Sequence, residues 1–271
     1  MLKKTKLWDN GTPYYDPAKG QDEPSLVHYT DLGGNARPDR EKTGCVIVFP
    51  GGGYGSLTDY EGEPISRMFN SFGIRSFVLN YRITPYHYPA ILMDAQRAVR
   101  WVRYHADELM IDPDKIAVLG FSAGGHLASC ASTVYDRGLS DGDEIDRTSC
   151  RPDAGILCYA VISMLEPWTH EGTRDVMMGD RPDREELTRR LTGYLNVTED
   201  TPPIFMFHTT EDSAVPQENS LLMAQALAEK KIPYELHMFM DGNHGLGLAL
   251  GRPGLEKWGE LASIWLKKLG F

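Results

Sequence analysis

What this sequence has little of narrows the field first. It carries four cysteines, Cys45, Cys130, Cys150 and Cys158, and they lack the paired spacing of a zinc or iron–sulfur site. Cys45, Cys130 and Cys158 fall in apolar runs. They read as buried free thiols in a reducing cytoplasm, with no metal to hold and no disulfide framework. Positive charge is also short, since 28 Lys and Arg against 38 Asp and Glu leave a formal net charge of −10. A nucleic-acid or anionic-membrane surface needs clustered Lys and Arg, so neither partner is expected. No apolar run approaches the ~20 residues of a membrane span. Lys3, Lys4 and Lys6 are not followed by the apolar core of a secretory signal. Repeats, low-complexity tracts and linkers are missing too, which predicts a single domain over residues 1–271, with 1–40 an irregular N-terminal segment bearing an edge strand.

What is there suits an ordinary core: 41% of the residues are apolar and 10% aromatic. Ser25 to Thr30 alternates like an exposed strand, followed by a polar turn through Gly33, Gly34 and Asn35. From residue 44 onward strands and helices alternate. Strands are predicted at 44–50, 74–81, before the turn at 120, at 154–164, 203–209 and 234–240. Helices are predicted at 64–72, 89–110, from the turn to about Tyr135, near 184–193, at 217–230 and at 254–269. That ordering implies an α/β fold with a mostly parallel sheet and helices on both faces. Residues 136–153 are acidic but lack the regular oxygen spacing and closing glutamate of a calcium loop, and read as a solvated loop.

The chain is organised around Ile116 to Ala128. A short apolar strand runs into Gly120-Phe121-Ser122-Ala123-Gly124, and a helix follows. A serine on so sharp a strand-to-helix turn is held strained with its hydroxyl above the sheet edge, and the flanking glycines are needed where strand and helix pass too close for a Cβ. Catalytic partners in such a sheet gather beyond the carboxyl ends of later strands. Asp212 follows the strand at 203–209 and His244 the strand at 234–240, in the chain order Ser, Asp, His. His244 is the candidate base and Asp212 its orienting acid, with Glu211 and Asp241 as competing carboxylates; His126, His208 and His237 have plausible structural places.

Acyl transfer by serine builds charge on a carbonyl oxygen that backbone N–H groups must stabilise. Ala123 supplies one candidate donor. Pro50-Gly51-Gly52-Gly53-Tyr54, just after a strand, supplies Gly52 and Gly53 as the others. A dinucleotide loop is the rival reading, but the third glycine is missing and no helix begins at Gly53.

These residues resemble the α/β-hydrolase superfamily, specifically its small bacterial carbohydrate-esterase-like members, a group with acetyl xylan esterases, other sugar acetylesterases and a bifunctional feruloyl/acetyl-xylan type. The resemblance is carried by Pro50 to Tyr54, Glu61-Gly62-Glu63-Pro64, Asn80-Tyr81-Arg82, Pro89 with Asp94 to Ala98, Gly120 to Leu127, and His208 through Pro216. It runs from about residue 40 to the C-terminus. Pro50 replaces the histidine of the lipase-type His-Gly-Gly-Gly motif, which moves it away from hormone-sensitive-lipase-like enzymes. The resemblance implies serine esterase chemistry on short acyl groups, with no cofactor.

No large cap domain is visible, and the stretches 136–153 and 166–200 are too polar to line a long acyl funnel, so acetyl-type esters are expected, with an acetylated oligosaccharide as one candidate substrate. Tyr54, Tyr86 and Trp168, along with Tyr88, are candidate stacking platforms for a sugar or phenolic ring. Two other readings stay open: a small-peptide serine peptidase of the same fold, and a non-catalytic small-molecule-binding protein. The alcohol half of the ester and the oligomeric state are not readable.

Overall fold

The computed structural model describes residues 3–29 and 42–271. Among these residues eight strands form one sheet: β1 (Lys3–Lys6), β2 (Ser25–Tyr29), β3 (Thr43–Phe49), β4 (Arg75–Asn80), β5 (Ile111–Phe121), β6 (Ala154–Cys158), β7 (Ile204–Thr209) and β8 (Tyr234–Phe239). Their order is β1-β2-β4-β3-β5-β6-β7-β8. β1 and β2 pair antiparallel, as do β2 and β4, and every later pairing is parallel. The helices are α1 (Glu63–Ser71), α2 (Ala90–Tyr104), α3 (Ser122–Thr133), α4 (Glu171–Met178), α5 (Arg184–Arg190), α6 (Glu218–Glu229) and α7 (Trp258–Lys268). α1 to α6 connect parallel strands and α7 closes the chain, so the carboxyl ends of β3, β5, β7 and β8 share one edge of the sheet.

The central strands are apolar without alternation because both faces are covered. In β3 successive side chains take opposite faces. Ile47 and Phe49 join a core with Ala95, Val99, Leu127 and Met223, while Val46 and Val48 join another with Ile65, Phe69, Trp258 and Trp265.

Several sequence expectations are corrected. Lys3–Lys6 falls in the segment read as irregular, yet it forms the outer strand; Lys-Lys-Thr-Lys shows no apolar alternation, and charges of this kind suit an unpaired edge. Lys4 pairs with Asp22 at 3.0 Å and Lys6 with Glu23 at 2.5 Å. β2 is therefore neither an edge nor exposed: Ser25, Leu26 and His28 are buried. His28 packs edge-on against Phe77 and Trp101, and burial pushes its pKa down to about 4. Thr30 and the turn at Gly33 to Asn35 lie outside the described residues.

The long helix stops at Tyr104 rather than 110, with His105 capping it and Met110 turning at a φ of 54° into β5. The apolar run 154–164 leaves the sheet after Cys158. Its remainder is a buried loop, held by Asn219, whose Oδ1 accepts from the backbone N–H groups of Ile162 and Ser163. α4 was not legible among the charges of 166–200.

The acidic loop is held against α2 by three arginines. Arg97 pairs with Asp143 at 2.5 Å and Asp146 at 2.7 Å, Arg100 with Asp136, and Arg103 with Asp153 at 2.8 Å. Spaced three apart, they share one stripe of the helix. Among the described residues no group of three or more His, Cys, Asp and Glu could hold a metal ion, and no helix is long and apolar enough to cross a membrane.

Arg82 and Asp94 form a fully buried ion pair at 2.6 Å. The guanidinium also donates to the carbonyls of Pro13 at 2.5 Å and Ala90 at 3.1 Å, and Asp94 accepts the backbone N–H of Arg82 at 2.8 Å. The pair thus locks the exit of β4 to α2 and the N-terminal segment. Asp94→Ala leaves an unpaired buried cation, so it is expected to lower unfolding free energy by about 3–5 kcal/mol in urea titrations.

Candidate active site

The elbow is built by backbone crowding. A Cβ at Gly120 would stand 2.0 Å from the Gly124 carbonyl oxygen, and one at Gly124 would stand 2.1 Å from that of Phe49. Neither position admits a side chain. Between them Ser122 takes a φ of 53°, a left-handed conformation rarely occupied outside glycine, at the first residue of α3.

Three loops at the carboxyl edge then converge. Ser122 Oγ lies 2.7 Å from His244 Nε2, and His244 Nδ1 lies 2.7 Å from Asp212 Oδ2. A carboxylate only accepts, so Nδ1 carries the proton and Nε2 is left free to accept the Ser122 hydroxyl hydrogen. Asp212 Oδ1 accepts the backbone N–H groups of Ala214 at 3.0 Å and Val215 at 2.9 Å.

Asp212 has a further partner, His208, whose Nε2 lies 3.3 Å from Oδ2 and 3.0 Å from the Val215 carbonyl. The carbonyl fixes Nε2 as a donor, so the Ser220 hydroxyl donates to Nδ1 at 2.9 Å. Burial would raise the Asp212 pKa. Hydrogen bonds from His208, His244 and the Val215 N–H outweigh it and hold the carboxyl well below the usual carboxylate range. Because the folded value is depressed, this stabilisation is complete above the unfolded pKa and is lost only as pH falls through the folded one. Asp212 stays ionised through neutral pH.

The competing carboxylates do other things. Glu211 accepts the Gly242 N–H at 2.9 Å and braces the histidine loop, and Asp241 is exposed.

The glycine loop also closes on Ser122: a Cβ at Gly51 would stand 3.2 Å from Ser122 Cβ. Gly52 has a φ of 124° and Gly53 one of 64°, and a Cβ at Gly52 would stand 2.3 Å from the Ser56 carbonyl oxygen. The Gly51 N–H is occupied, donating to Glu61 at 2.8 Å. The N–H groups of Gly52 and Gly53 meet no acceptor among the described residues, and Ala123 lies in the unpaired first turn of α3.

The aromatic candidates fare differently. Tyr54 is corrected: it is wholly buried, and its hydroxyl meets His126 Nδ1 at 2.8 Å. His126 donates its other nitrogen to the Leu191 carbonyl at 2.8 Å, so Tyr54 is the donor to Nδ1. It anchors the glycine loop to α3 instead of offering a ring. Tyr86 is corrected likewise, buried with its hydroxyl bonded to the backbone of Asp16. Trp168 is half-buried, and its carbonyl accepts from Asn219 at 2.9 Å. Half-buried Tyr88 has Arg181 and Arg190 over its ring. Sequence reading gave His126 and His208 only general structural places; the Gly125-His126 step and the His208 to Pro216 run were the signals for more.

The BD-FAE family model matches residues 35–227. This chain belongs to the BD-FAE family. Among curated relatives, the endo-1,4-beta-xylanase B of Butyrivibrio fibrisolvens is 39% identical over 251 residues, 91% of this chain and 38% of that protein. The acetylxylan esterase of Xylanibacter ruminicola is 29% identical over 236 residues, 86% of this chain and 47% of that protein. The chain therefore spans less than half the length of either. A solved structure, the acetyl ester-xyloside bifunctional hydrolase of Caldicellulosiruptor lactoaceticus, superposes with a TM-score of 0.93 at 46% identity, covering 99% of this chain and 97% of that one. The Est2 esterase of Thermogutta terrifontis gives 0.77 at 28% identity, covering 100% of this chain and 94% of that one. The α/β-hydrolase fold of this BD-FAE member is thus shared along its length.

Asp212→Asn would put an amide donor against Nδ1 and favour the wrong histidine tautomer. Phosphonylation of Ser122 by a fluorophosphonate is expected to slow by roughly 10⁴, the loss seen when a triad aspartate becomes its amide. An unchanged labelling rate, followed by intact-mass spectrometry, would count against the arrangement.

Proposed function

We propose that this protein is a serine esterase that removes short acyl groups, acetyl above all, from carbohydrates. The observation that carries this reading is the unbroken line from Ser122 through His244 to Asp212, with 2.7 Å at each step. His244 takes the hydroxyl proton as Ser122 Oγ attacks the ester carbonyl, and the charge on the carbonyl oxygen is met by N–H groups of Gly52, Gly53 and Ala123. Collapse expels the sugar alcohol, which takes the proton from His244. A water then gives its proton to His244 and attacks the acyl-enzyme, releasing the acid and restoring Ser122. The charge-balanced line with Asp212 stabilises the imidazolium in both halves.

The short-acyl preference is supported by what lies beyond β6. Met177, Met178, Leu187 and Leu191 are buried in the core, and the outer side carries ion pairs of Arg174 with Glu166 and Asp175. The carbohydrate alcohol is supported by relatives whose names carry xylan or xyloside activities. Four buried, unpaired cysteines accord with a reducing cytoplasm.

Two experiments test the reading. Ser122→Ala should lower kcat by roughly 10⁴ to 10⁶, and acetate release from acetylated xylo-oligosaccharides should vanish with it. Separately, p-nitrophenyl acetate should be hydrolysed much faster than the octanoate; activity that rises with chain length would overturn the short-acyl assignment.

A further inference from the structure

A buried carboxylate stands behind the nucleophile and takes no part in the proton transfers above. Glu61, in the turn Asp59–Glu61 ahead of α1, is 1% exposed. Its Oε2 accepts the Gly51 N–H at 2.8 Å and the Thr58 hydroxyl, and its Oε1 accepts the Tyr159 hydroxyl at 2.6 Å. Tyr159 is the first residue beyond β6, with a φ of 34°. Its oxygen accepts the Gly247 N–H at 2.9 Å, and the Gly247 carbonyl in turn accepts the Trp258 indole N–H at 3.0 Å. The Tyr159 ring meets the His244 ring edge-on, centroids 5.0 Å apart at 71°.

The two oxygens of Glu61 are therefore divided between the two halves of the site. One holds Gly51, the neighbour of the free N–H at Gly52. The other reaches, through one hydroxyl, the loop that carries His244. Crowding adds to the coupling: a Cβ at Gly51 would stand 2.6 Å from Glu61 Oε2 and 3.2 Å from Ser122 Cβ. Every protein group on the carboxylate is a donor, so both oxygens are satisfied as acceptors and the buried charge fixes geometry on both sides at once.

We propose that Glu61 and Tyr159 form a positioning bridge that sets the oxyanion loop and the histidine loop in register about Ser122. This rests on the esterase reading of the site. The two bridging oxygens do not touch the reacting atoms; they act through Gly51 and Gly247, while the Tyr159 ring backs the His244 imidazole, and the contribution of the bridge is realised when the tetrahedral oxygen must meet fixed N–H groups while His244 holds the proton.

Tyr159→Phe removes one oxygen and keeps the ring packing. Glu61→Gln keeps the volume but removes the charge: with its carbonyl kept toward the Gly51 N–H, its N–H₂ group faces the Tyr159 hydroxyl and turns that hydroxyl from donor to acceptor. On p-nitrophenyl acetate each is expected to lower kcat on the order of 10²-fold, the scale of a small misplacement of reacting groups, with KM unchanged. Affinity for a trifluoromethyl ketone, a mimic of the tetrahedral species, should fall by the same factor as kcat. The double variant should fall no further than the weaker single, because both changes break one bridge.

Wild-type kcat in Tyr159→Phe, a loss carried by KM, or losses that multiply in the double variant would each overturn the bridge. If Glu61→Gln yields no folded protein by circular dichroism, kcat and ketone affinity of Tyr159→Phe decide alone. The two readings fail differently. A wild-type protein without Ser122-dependent turnover defeats the esterase assignment, whereas active wild type, dead Ser122→Ala and unaffected bridge variants defeat only the bridge.

Discussion

The whole edge of the sheet depends on how closely β5 and α3 pass the exit of β3. Carbonyl oxygens of Phe49 and Gly124 occupy the volumes where side chains at 124 and 120 would have to be. Glycine at both places lets the helix start directly beneath the neighbouring loop, and this proximity forces Ser122 into its left-handed turn. Such a conformation costs on the order of 1–3 kcal/mol and persists only where its surroundings over-determine it. Here they do, because parallel pairing holds β5 on both sides and α3 packs between β5 and β6.

Buried polar groups hold the loops around that turn. Tyr54 ties the glycine loop to His126, His208 ties Asp212 to α6 through Ser220, and Arg82 with Asp94 closes β4 onto α2. Each group is satisfied in a low-dielectric setting, where a lost partner is costly and a kept one is stiff. Loops are ordinarily the mobile part of a fold. In this one they are pinned from beneath.

Much of this could be read from the chain beforehand, and the failures share a cause. The parallel strands, the elbow and the residues that now stand in line with Ser122 announce themselves through apolar runs, glycine pairs and positions after strand ends. β1 gave no such signal, being Lys-Lys-Thr-Lys, and α4 lies among charges with too few apolar residues to show a period. The run through Met164 looked like strand because a loop buried beneath a site is as apolar as a strand. Tyr54 and Tyr86 were misplaced for a related reason: sequence shows an aromatic near a strand end, not whether its hydroxyl points at a backbone or its ring at solvent. Glu61 and Tyr159 lie 98 positions apart, and nothing local in either neighbourhood marks them as partners.

The stretch 136–153 also has a meaning for how this scaffold can change over time. Its aspartates neutralise Arg97, Arg100 and Arg103 on a helix whose other side is core. Shortening it would leave three guanidinium groups without their counter-charges, with only the Leu7 carbonyl still held by Arg97 and the Pro113 carbonyl by Arg103. Loop and helix thus form one electrostatic unit: trimming the one calls for recolouring the stripe on the other.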